Sequence, residues 1–318
     1  PDLKWERTLS TNIGVDFTAF RGRVDLSADY YIKNTDNLLL DITKAPSVGV
    51  TTSRENIGEV QNSGFELRLR TFPIQNKDWQ WSLGLTYAYN KNKIKKISNS
   101  LREQNEKNKA DNGVAPLPIY EEGQSLTALK VVPSAGIDPV TGQEIFIKRD
   151  GTYTFVYDSN DKVIFGDTNP IGTGSINSYL TYKRFALSCS FLYSFGGSLY
   201  NETLATKVEG ANPKYNADER VLNDRWKTPG TIAKYKRIDD TTTPYQTSRF
   251  VEKNNFLRMS SLSLSYEVPT TFIQKYGLKR MFLELLTNDL FYLSTAKRER
   301  GLNYPYDRSF EFSVRFSL

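Results

Sequence analysis

The stretch that decides the fold is "WQWSLGLTYAY", Trp79 to Tyr89, in which large apolar residues alternate with small or polar ones. Alternation with a period of two is typical of a β-strand with one apolar face. Ten residue steps of about 3.3 Å, tilted by roughly 40°, span about 25 Å, the height of the apolar band of an outer-membrane β-barrel. Aromatic residues stand at both ends of the apolar face, where lipid meets water in such barrels. The stretch therefore predicts a membrane-spanning β-strand.

The same alternation recurs along the chain and predicts about nine long strands and no long amphipathic helix. The strands are expected near residues 9–19, 24–32, 65–69, 79–89, 172–183, 185–198, 256–268, 280–292 and 309–318. Gly64 is expected to host a bulge before the third strand. Short connections fall at 20–23, 73–78 and 183–185, with a modest one at 269–279, and long polar ones fall at 41–60, 96–171, 199–255 and 293–308. Every second connection is short, as in an up-and-down barrel with turns at one end and loops at the other.

The two faces of the predicted strands differ in chemistry. We expect a lipid-facing girdle made of Trp79, Trp81, Tyr87, Tyr89, Phe185, Tyr193 and Phe195. The opposite face is polar and carries Asp16, Asp25, Asp29, Glu66, Arg68, Arg70, Ser188, Ser190, Ser194, Glu311 and Arg315. A soluble β-sandwich would also alternate, but its strands usually have only about 5 to 6 residues. Pattern and length together favour the barrel.

Composition excludes several classes of function. No run of about 18 uncharged apolar residues is present, so a transmembrane helix is excluded. The 318 residues contain no histidine and a single cysteine, Cys189, which excludes imidazole-based zinc sites, histidine triads and an internal disulfide. The net charge of +6 is scattered, and the most basic stretch, Asn90 to Lys109, is interpreted as a solvated loop and not as a nucleic-acid site.

Candidate catalytic and metal-binding groups are few. The segment "YDSNDKVIFGDTNP" holds four oxygen-bearing residues, Asp158, Asn160, Asp161 and Asp167, without the spacing of an EF-hand. Turn chemistry explains this cluster, and a calcium ion in the loop stays open as an alternative. The adjacent pairs Asp239–Asp240 and Glu121–Glu122 point in different directions and do not form a glycosidase dyad. We therefore predict that the protein is not an enzyme and has no cofactor.

Aromatic and cationic residues in the long connections are better candidates for binding. Sugar rings stack on aromatic side chains, and peptide carboxylates accept bidentate hydrogen bonds from arginine. The candidates for contact with a ligand or with a lid protein are Tyr120, Tyr200, Tyr215, Arg220, Arg225, Trp226, Tyr235 and Tyr245. The alternative is that these side chains pack loop against loop.

Six segments resemble one family. They are "PDLKWERTLSTNIGVDF", "VDLSADYYIKNTDNLLL", "NIGEVQNSGFELRLRTFPIQNKDWQWSLGLTYAYNKNKI", "AGIDPVTGQEIFIKRDG", "NFLRMSSLSLSYEVP" and "YPYDRSFEFSVRFSL". In this order they are similar to the C-terminal half of the SusC-like (SusC/RagA) TonB-dependent transporters of Bacteroidetes outer membranes. The chain departs from the family at "LTNDLFYLS" and at its terminal Leu318, where Phe is commoner.

The resemblance implies a barrel of about 22 strands that encloses a plug domain, draws energy from TonB and works beneath a SusD-like lipoprotein lid. Residues 1–318 are then expected to be the C-terminal portion of that barrel, without the plug or the TonB-coupling segment, and to pair with an N-terminal barrel portion. The implied function is active import of a bulky glycan or oligopeptide across the bacterial outer membrane. The alternatives are a structural or adhesive barrel that binds a surface partner through its loops, and a soluble β-rich binding module.

The last strand, "SFEFSVRFSL", ends the chain on an apolar residue. Phe310, Phe312, Val314, Phe316 and Leu318 are expected to face lipid, and Glu311, Ser313, Arg315 and Ser317 the lumen. Within this set, Phe312, Phe316 and Leu318 resemble the signal by which outer-membrane barrels are recognised for insertion.

Overall fold

The computed structural model describes residues 3–43, 52–212, 214, 218–297, 299 and 307–317. Its strands are β1 (Arg7–Ala19), β2 (Val24–Thr43), β3 (Thr52–Gln75), β4 (Trp79–Ile97), β5 (Ala128–Val131), β6 (Ser134–Ile137), β7 (Glu144–Ile147), β8 (Tyr153–Thr154), β9 (Val163–Asp167), β10 (Gly172–Tyr182), β11 (Phe185–Tyr200), β12 (Val251–Glu267), β13 (Arg280–Asn288), β14 (Tyr292–Ser294) and β15 (Phe310–Ser317). The α-helices are α1 (Asn99–Ala110), α2 (Arg220–Asn223) and α3 (Thr270–Ile273). Shorter helical segments are the 3₁₀ turns Ser159–Asp161, Ser248–Phe250 and Gln274–Tyr276 and the π-helical Leu204–Glu209. No helix among the described residues has the length and apolar character needed to cross a membrane.

One antiparallel sheet dominates the molecule. Its strands follow the order β1-β2-β3-β4-β10-β11-β12-β13-β15, and β14 pairs with β12 beside this path. The nine strands of the path confirm the predicted number and the up-and-down topology. Within the described residues, β1 pairs only with β2 and β15 only with β13, so each has one free edge.

Strand register keeps the two faces separate across the whole sheet. Leu26 lies opposite Leu69, Leu69 opposite Leu85, and Leu85 opposite Ile176. Further along, Leu187 lies opposite Leu264, Leu264 opposite Leu285, and Leu285 opposite Phe312. The alternate positions pair polar groups, such as Asp25 with Arg70 and Asn177 with Ser190. One face is thus apolar from β1 to β15, and the other is polar, as the alternation predicts.

Tight turns lie at one end of the sheet. Phe20, Arg21 and Gly22 adopt positive φ angles in the first turn, and Lys183 does so in the turn between β10 and β11. The modest connection after β12 contains a single helical turn, α3, followed by a 3₁₀ turn, as expected. The strand β15 runs back towards this end, because Ser317 lies opposite Arg280, the first residue of β13.

The strands extend further at the other end than the sequence predicted. The ladder of β2 and β3 continues to the pair of Thr43 and Thr52, so most of the segment 41–60, which was predicted to be a loop, is β-strand. The ladder of β3 and β4 likewise continues to the pair of Gly58 and Ile97. The alternation breaks in these extensions because a polar run is followed by three consecutive leucines, Leu38 to Leu40, of which Leu38 and Leu40 pack against Ile42 and Ile57.

The predicted solvated loop at Asn90–Lys109 is also wrong, because β4 and then α1 occupy it. The Ser98 hydroxyl accepts a hydrogen bond of 3.2 Å from the Leu101 amide, which caps the first turn of α1. Leu101 is buried with Ile42 and Ile57. A helix with so few apolar residues shows little amphipathic pattern, which is why the sequence did not reveal it.

Two local predictions need correction. Gly64 hosts no bulge, since it pairs in register with both Tyr31 and Asn90, and the irregularities of β3 lie elsewhere. Glycine is required there because a Cβ atom would stand 2.4 Å from the Tyr31 ring. The strand expected at 280–292 is interrupted after Asn288, where Asp289 takes a φ of 53° and β14 begins separately.

Candidate functional site

The connections from β4 to β10 and from β11 to β12 fold together into one layer at the long-loop end of the sheet, which we call the loop layer (residues 98–171 and 201–250). The Val132 amide donates to the Gln246 carbonyl, and the Ser248 amide donates to the Val132 carbonyl, at 3.0 Å each. An apolar cluster lies within the layer and consists of Ala205, Val208, Val221, Tyr235 and Phe250. The connections predicted to be polar links are therefore a small folded unit with its own core.

A buried ion cluster joins three parts of this layer. The Arg249 guanidinium contacts both carboxylate oxygens of Glu144 at 2.7 and 2.6 Å and both of Glu209 at 2.6 and 2.7 Å. The exposed fractions of the three side chains are 9 %, 6 % and 0 % in the order Arg249, Glu144 and Glu209. Burial opposes the charge of Arg249, but the hydrogen bonds and attraction from Glu144, then Glu209, raise its pKa above the ordinary arginine value. Arg249 is thus a permanently charged clamp.

Arg225 has a structural role in place of the predicted ligand contact. Its residue is 4 % exposed, and its guanidinium donates to the carbonyl oxygens of Val221, Lys236, Val208 and Glu209 at 2.5 to 3.1 Å. Burial lowers the pKa of Arg225, and the nearby Glu209 charge opposes that shift. Its donors are used inside the loop layer, so the side chain is not presented to a ligand.

Other predicted contact residues are also engaged internally. Tyr235 belongs to the apolar cluster of the loop layer, and the Tyr200 hydroxyl donates to the Val114 carbonyl at 2.8 Å. Arg220 forms ion pairs with Asp218 and Glu299, with nitrogen–oxygen distances of 2.6 and 2.8 Å. These three residues correspond to the alternative interpretation in which loop packs against loop.

Tyr120 and Tyr245 lie in the loop layer too. Tyr120 packs beside the cluster of Ile42, Ile57 and Leu101, and its backbone is held by the Asn105 side chain through bonds of 2.6 and 2.8 Å. Tyr245 stacks on Tyr157, with ring centroids 4.3 Å apart. The remaining candidate, Tyr215, lies outside the described residues.

Trp226 lines an open groove of about 380 Å³. Its indole packs over Gly142, where a Cβ atom would stand 2.6 Å from the ring, and its Nε1 donates to the Pro139 carbonyl at 2.9 Å. The groove is also lined by Val221, Leu222, Arg225, Lys227, Arg237, Ile238 and Asp239. Leu222 and Ile238 are exposed, so the groove joins an aromatic ring, aliphatic surface and two exposed cations. This groove is the candidate site that retains an accessible predicted residue.

The acidic residues considered for calcium or catalysis have local partners. Asp158 accepts from the Asn160 amide at 2.8 Å, and Asp167 accepts from the Thr127 hydroxyl at 2.6 Å. Lys130 pairs with Glu121, Arg102 with Glu122, Arg237 with Asp239, and Lys236 with Asp240. In the part of the chain that the structure describes, no three His, Cys, Asp or Glu side chains are grouped to hold a metal ion.

The predicted girdle residues lie on the apolar face of the sheet in two rows. Near the short turns, Trp79 stacks on Tyr182 with centroids 4.1 Å apart, and Phe185 meets Tyr266 at 4.7 Å. Nearer the loop layer, Phe195 lies 6.3 Å from Tyr87 and 6.5 Å from Tyr193. The predicted girdle also holds Trp81, whose Nε1 donates to Ser178 at 3.0 Å, and Tyr89, opposite Phe65. The sequence analysis omitted Tyr182 and Tyr266, although the same alternation marks them.

The proposed insertion signal lies on the last strand. Phe312 and Phe316 are 65 % and 63 % exposed on the apolar face, and they stand opposite Leu285 and Met281. Leu318, the third residue of the signal, lies outside the described residues.

Comparison with known proteins agrees with this geometry. Residues 1–119 match the family model described as TonB dependent receptor-like, beta-barrel. TonB-dependent receptor P3 of Formosa agariphila is 29 % identical over 303 residues, which are 89 % of this chain and 29 % of that protein. TonB-dependent receptor SusC of Bacteroides thetaiotaomicron is 27 % identical over 276 residues, covering 83 % of this chain and 26 % of SusC. The chain therefore spans less than a third of the length of these two relatives.

Solved structures share the fold. The RagAB peptide importer in its "open-open" state superposes with a TM-score of 0.79 at 22 % identity, covering 100 % of this chain and 35 % of the matched chain. Its "closed-closed" state gives a TM-score of 0.80 at 22 % identity and covers 99 % and 36 %. At this identity the likeness concerns the fold, and it supports an open sheet that is one segment of a larger barrel.

Proposed function

We propose that this chain belongs to the SusC-like TonB-dependent receptors of the outer membrane and that it forms part of the wall and outer mouth of an active importer of bulky nutrients. The observation that carries the proposal is the separation of an apolar and a polar face across nine consecutive antiparallel strands, with a folded loop layer at one end only. The apolar face suits lipid, and the polar face suits a water-containing lumen.

Further strands close the barrel in this proposal. The free edges of β1 and β15 would pair with the N-terminal portion of the same transporter, which also supplies the plug and the segment that engages TonB. Energy then comes from TonB, and no cofactor is needed within residues 1–318. A SusD-like lipoprotein would cover the loop layer from outside.

The Trp226 groove is the proposed contact for the nutrient or for the lid. Its indole and the exposed Leu222 and Ile238 offer apolar contact to a sugar ring or to a peptide side chain. Lys227 adds a cation for carboxylates at the same groove, whereas Arg237 is paired with Asp239. A glycan and an oligopeptide are both compatible with this chemistry.

Uptake by living cells tests the proposal. Trp226→Ala in the intact transporter is expected to lower uptake of its nutrient, while Trp226→Phe, which keeps an aromatic ring, is expected to retain most of it. Ile232→Ala is a matched control, because Ile232 is 95 % exposed and lines no part of the groove. Uptake that persists without TonB would contradict the transport proposal. Surface binding without any import would do so too, and would favour the adhesive barrel.

A further inference from the structure

A second cavity, of about 310 Å³, lies between α1 and the segments around β5 and β9. Arg102, Asn105, Glu106 and Lys109 line it from α1, and their spacing places them on one face of the helix. Lys130, Arg149 and Lys162 line the opposite wall. Five of the lining side chains are cationic and two, Glu106 and Glu121, are acidic. Arg102 pairs with Glu122, so the cationic excess of the cavity comes from Lys109, Arg149 and Lys162.

Two of these cations are buried. Lys130 is 5 % exposed and forms an ion pair with Glu121, one of the two carboxylates that line the cavity. Lys162 is 3 % exposed, and its ammonium donates to the carbonyls of Lys109 and Asp111 at 3.1 and 3.4 Å. These carbonyls lie at the C-terminal end of α1, where a cation is favourable. They are neutral acceptors, however, so the Lys162 ammonium has no direct contact with a carboxylate.

Arg149 completes the wall. Its backbone amide donates to Asp161 at 2.9 Å, and its guanidinium donates once to the Lys162 carbonyl at 3.2 Å. A guanidinium has five N–H donors, so most of those of Arg149 stay available at the cavity. Like charges held this close repel one another unless an anion joins them, because attraction and repulsion are both stronger away from bulk water.

The cavity belongs to the mouth side of the sheet. Asn92 lies on the polar face of the sheet, the same face as Glu66 and Thr86. Its side-chain oxygen accepts a hydrogen bond of 3.0 Å from the Leu126 amide. Val60 and Ile94 are apolar residues on this same face, and they are buried, with exposed fractions of 4 % and 1 %. Gly123 and Gln124 exchange backbone hydrogen bonds of 2.8 Å with Ile94, so the segment that carries Tyr120 and Glu121 runs beside β4 at the loop-layer end of the sheet, where a nutrient would enter the lumen.

We propose that this cavity binds an oxyanion group, a carboxylate or a sulfate, of the imported nutrient. The proposal rests on the transport function above and narrows the substrate class to anionic molecules. Arg149 and Lys109 would contact the anion, while Lys130 and Lys162 would hold the positive potential behind them. Charge-assisted hydrogen bonds to a guanidinium suit an oxyanion better than a neutral hydroxyl.

Protection of lysine amines from acylation tests the site. The intact transporter is labelled at constant ionic strength while inorganic sulfate replaces chloride, and the labelled lysines are quantified by mass spectrometry. Saturable protection of Lys109 is expected, without protection of the exposed Lys207. The double variant Arg149→Gln, Lys109→Gln is expected to bind sulfate at least roughly tenfold more weakly, which corresponds to about 1.4 kcal/mol. In that variant, and in a parallel wild-type arm, sulfate binding is measured by isothermal titration calorimetry.

Three outcomes would overturn the proposal. Equal or unsaturable protection of Lys109 and Lys207 would mean an adventitious ion only. Loss of sulfate protection when the lid lipoprotein is added would mean that a carboxylate of the lid fills the cavity. If the double variant leaves TonB-dependent uptake unchanged, the nutrient does not bind in this cavity, and the transport function is unaffected. Lys207→Gln is the matched control, because Lys207 is an exposed cation of the loop layer that lines neither cavity, and it is expected to change neither sulfate binding nor uptake.

Discussion

Removing the Arg249 guanidinium should open the loop layer without unfolding the barrel sheet. In Arg249→Met the carboxylates of Glu144 and Glu209 stay buried and lose the cation between them. Deleting one partner of a buried ion pair costs about 3 to 5 kcal/mol, because the remaining charge is left uncompensated. The population of the opened loop layer should then rise by about two to four orders of magnitude.

Native-state proteolysis with chymotrypsin measures this opening. The clamp also holds the segment that contains Trp226, since Arg249 donates to the Lys234 carbonyl at 2.8 Å. Cleavage after Trp226 should accelerate in proportion to the opened population when reclosing is fast. Arg237→Met is the matched control, because Arg237 and Asp239 form an exposed pair, and solvent screening leaves such pairs little effect on stability.

The ion cluster also predicts a rescue. Replacing Glu144 and Glu209 by Leu together with Arg249→Met removes all three charges of the cluster, and such apolar replacements are often neutral or stabilising. The triple variant should therefore resist chymotrypsin better than Arg249→Met alone. Equal cleavage rates for Arg249→Met and Arg237→Met would refute the clamp.

Five further variants test the loop layer, the two faces of the sheet and the last strand. Tyr157→Phe should be neutral or stabilising, since the buried Tyr157 hydroxyl has no partner among the described residues, whereas Tyr200→Phe should cost about 1 kcal/mol in protease resistance through its lost hydrogen bond. Burial raises the Tyr157 pKa, so the loop layer should lose stability as the pH rises above about 10, where the unfolded chain ionises first, and Tyr157→Phe should reduce that loss. Leu187→Arg on the apolar face should cost about 2 to 4 kcal/mol of folding stability in lipid vesicles, and Ser188→Arg on the polar face should cost much less. Phe316→Asp together with Leu318→Asp should impair membrane insertion, measured as loss of the heat-modifiable band in gel electrophoresis, and normal assembly would contradict the proposed signal.

The barrel sheet could be predicted because its pattern is local. In "WQWSLGLTYAY" each residue is fixed to one face by its neighbours two positions away, and lipid demands apolar residues on one face. The same reasoning would have found Tyr182 and Tyr266, which continue the row of Trp79 and Phe185 on adjacent strands.

The loop layer could not be predicted because its stability comes from distant pairs. Arg249 is 105 residues from Glu144 and 40 from Glu209, and composition alone describes all three as solvated charges. For the same reason residue type alone predicts Arg225 and Tyr235 as contact residues, whereas the fold buries both of them.

The central claim is that the apolar face meets lipid and the polar face does not, and the chain's own cysteine tests it. Cys189 lies in the middle of β11 on the apolar face, opposite Ser178 and Leu262, and Ser190 beside it lies on the polar face. A nitroxide is attached to Cys189 in the intact transporter in bilayers, and to Ser190→Cys in a Cys189→Ser background, with other cysteines replaced. Oxygen dissolves in lipid, and a water-soluble nickel complex does not, so relaxation by each reports the surroundings. The label at Cys189 should relax with oxygen and resist nickel, and the label at position 190 should show weaker oxygen relaxation. The reverse pattern, or free access of nickel to Cys189, would contradict the orientation on which the account rests.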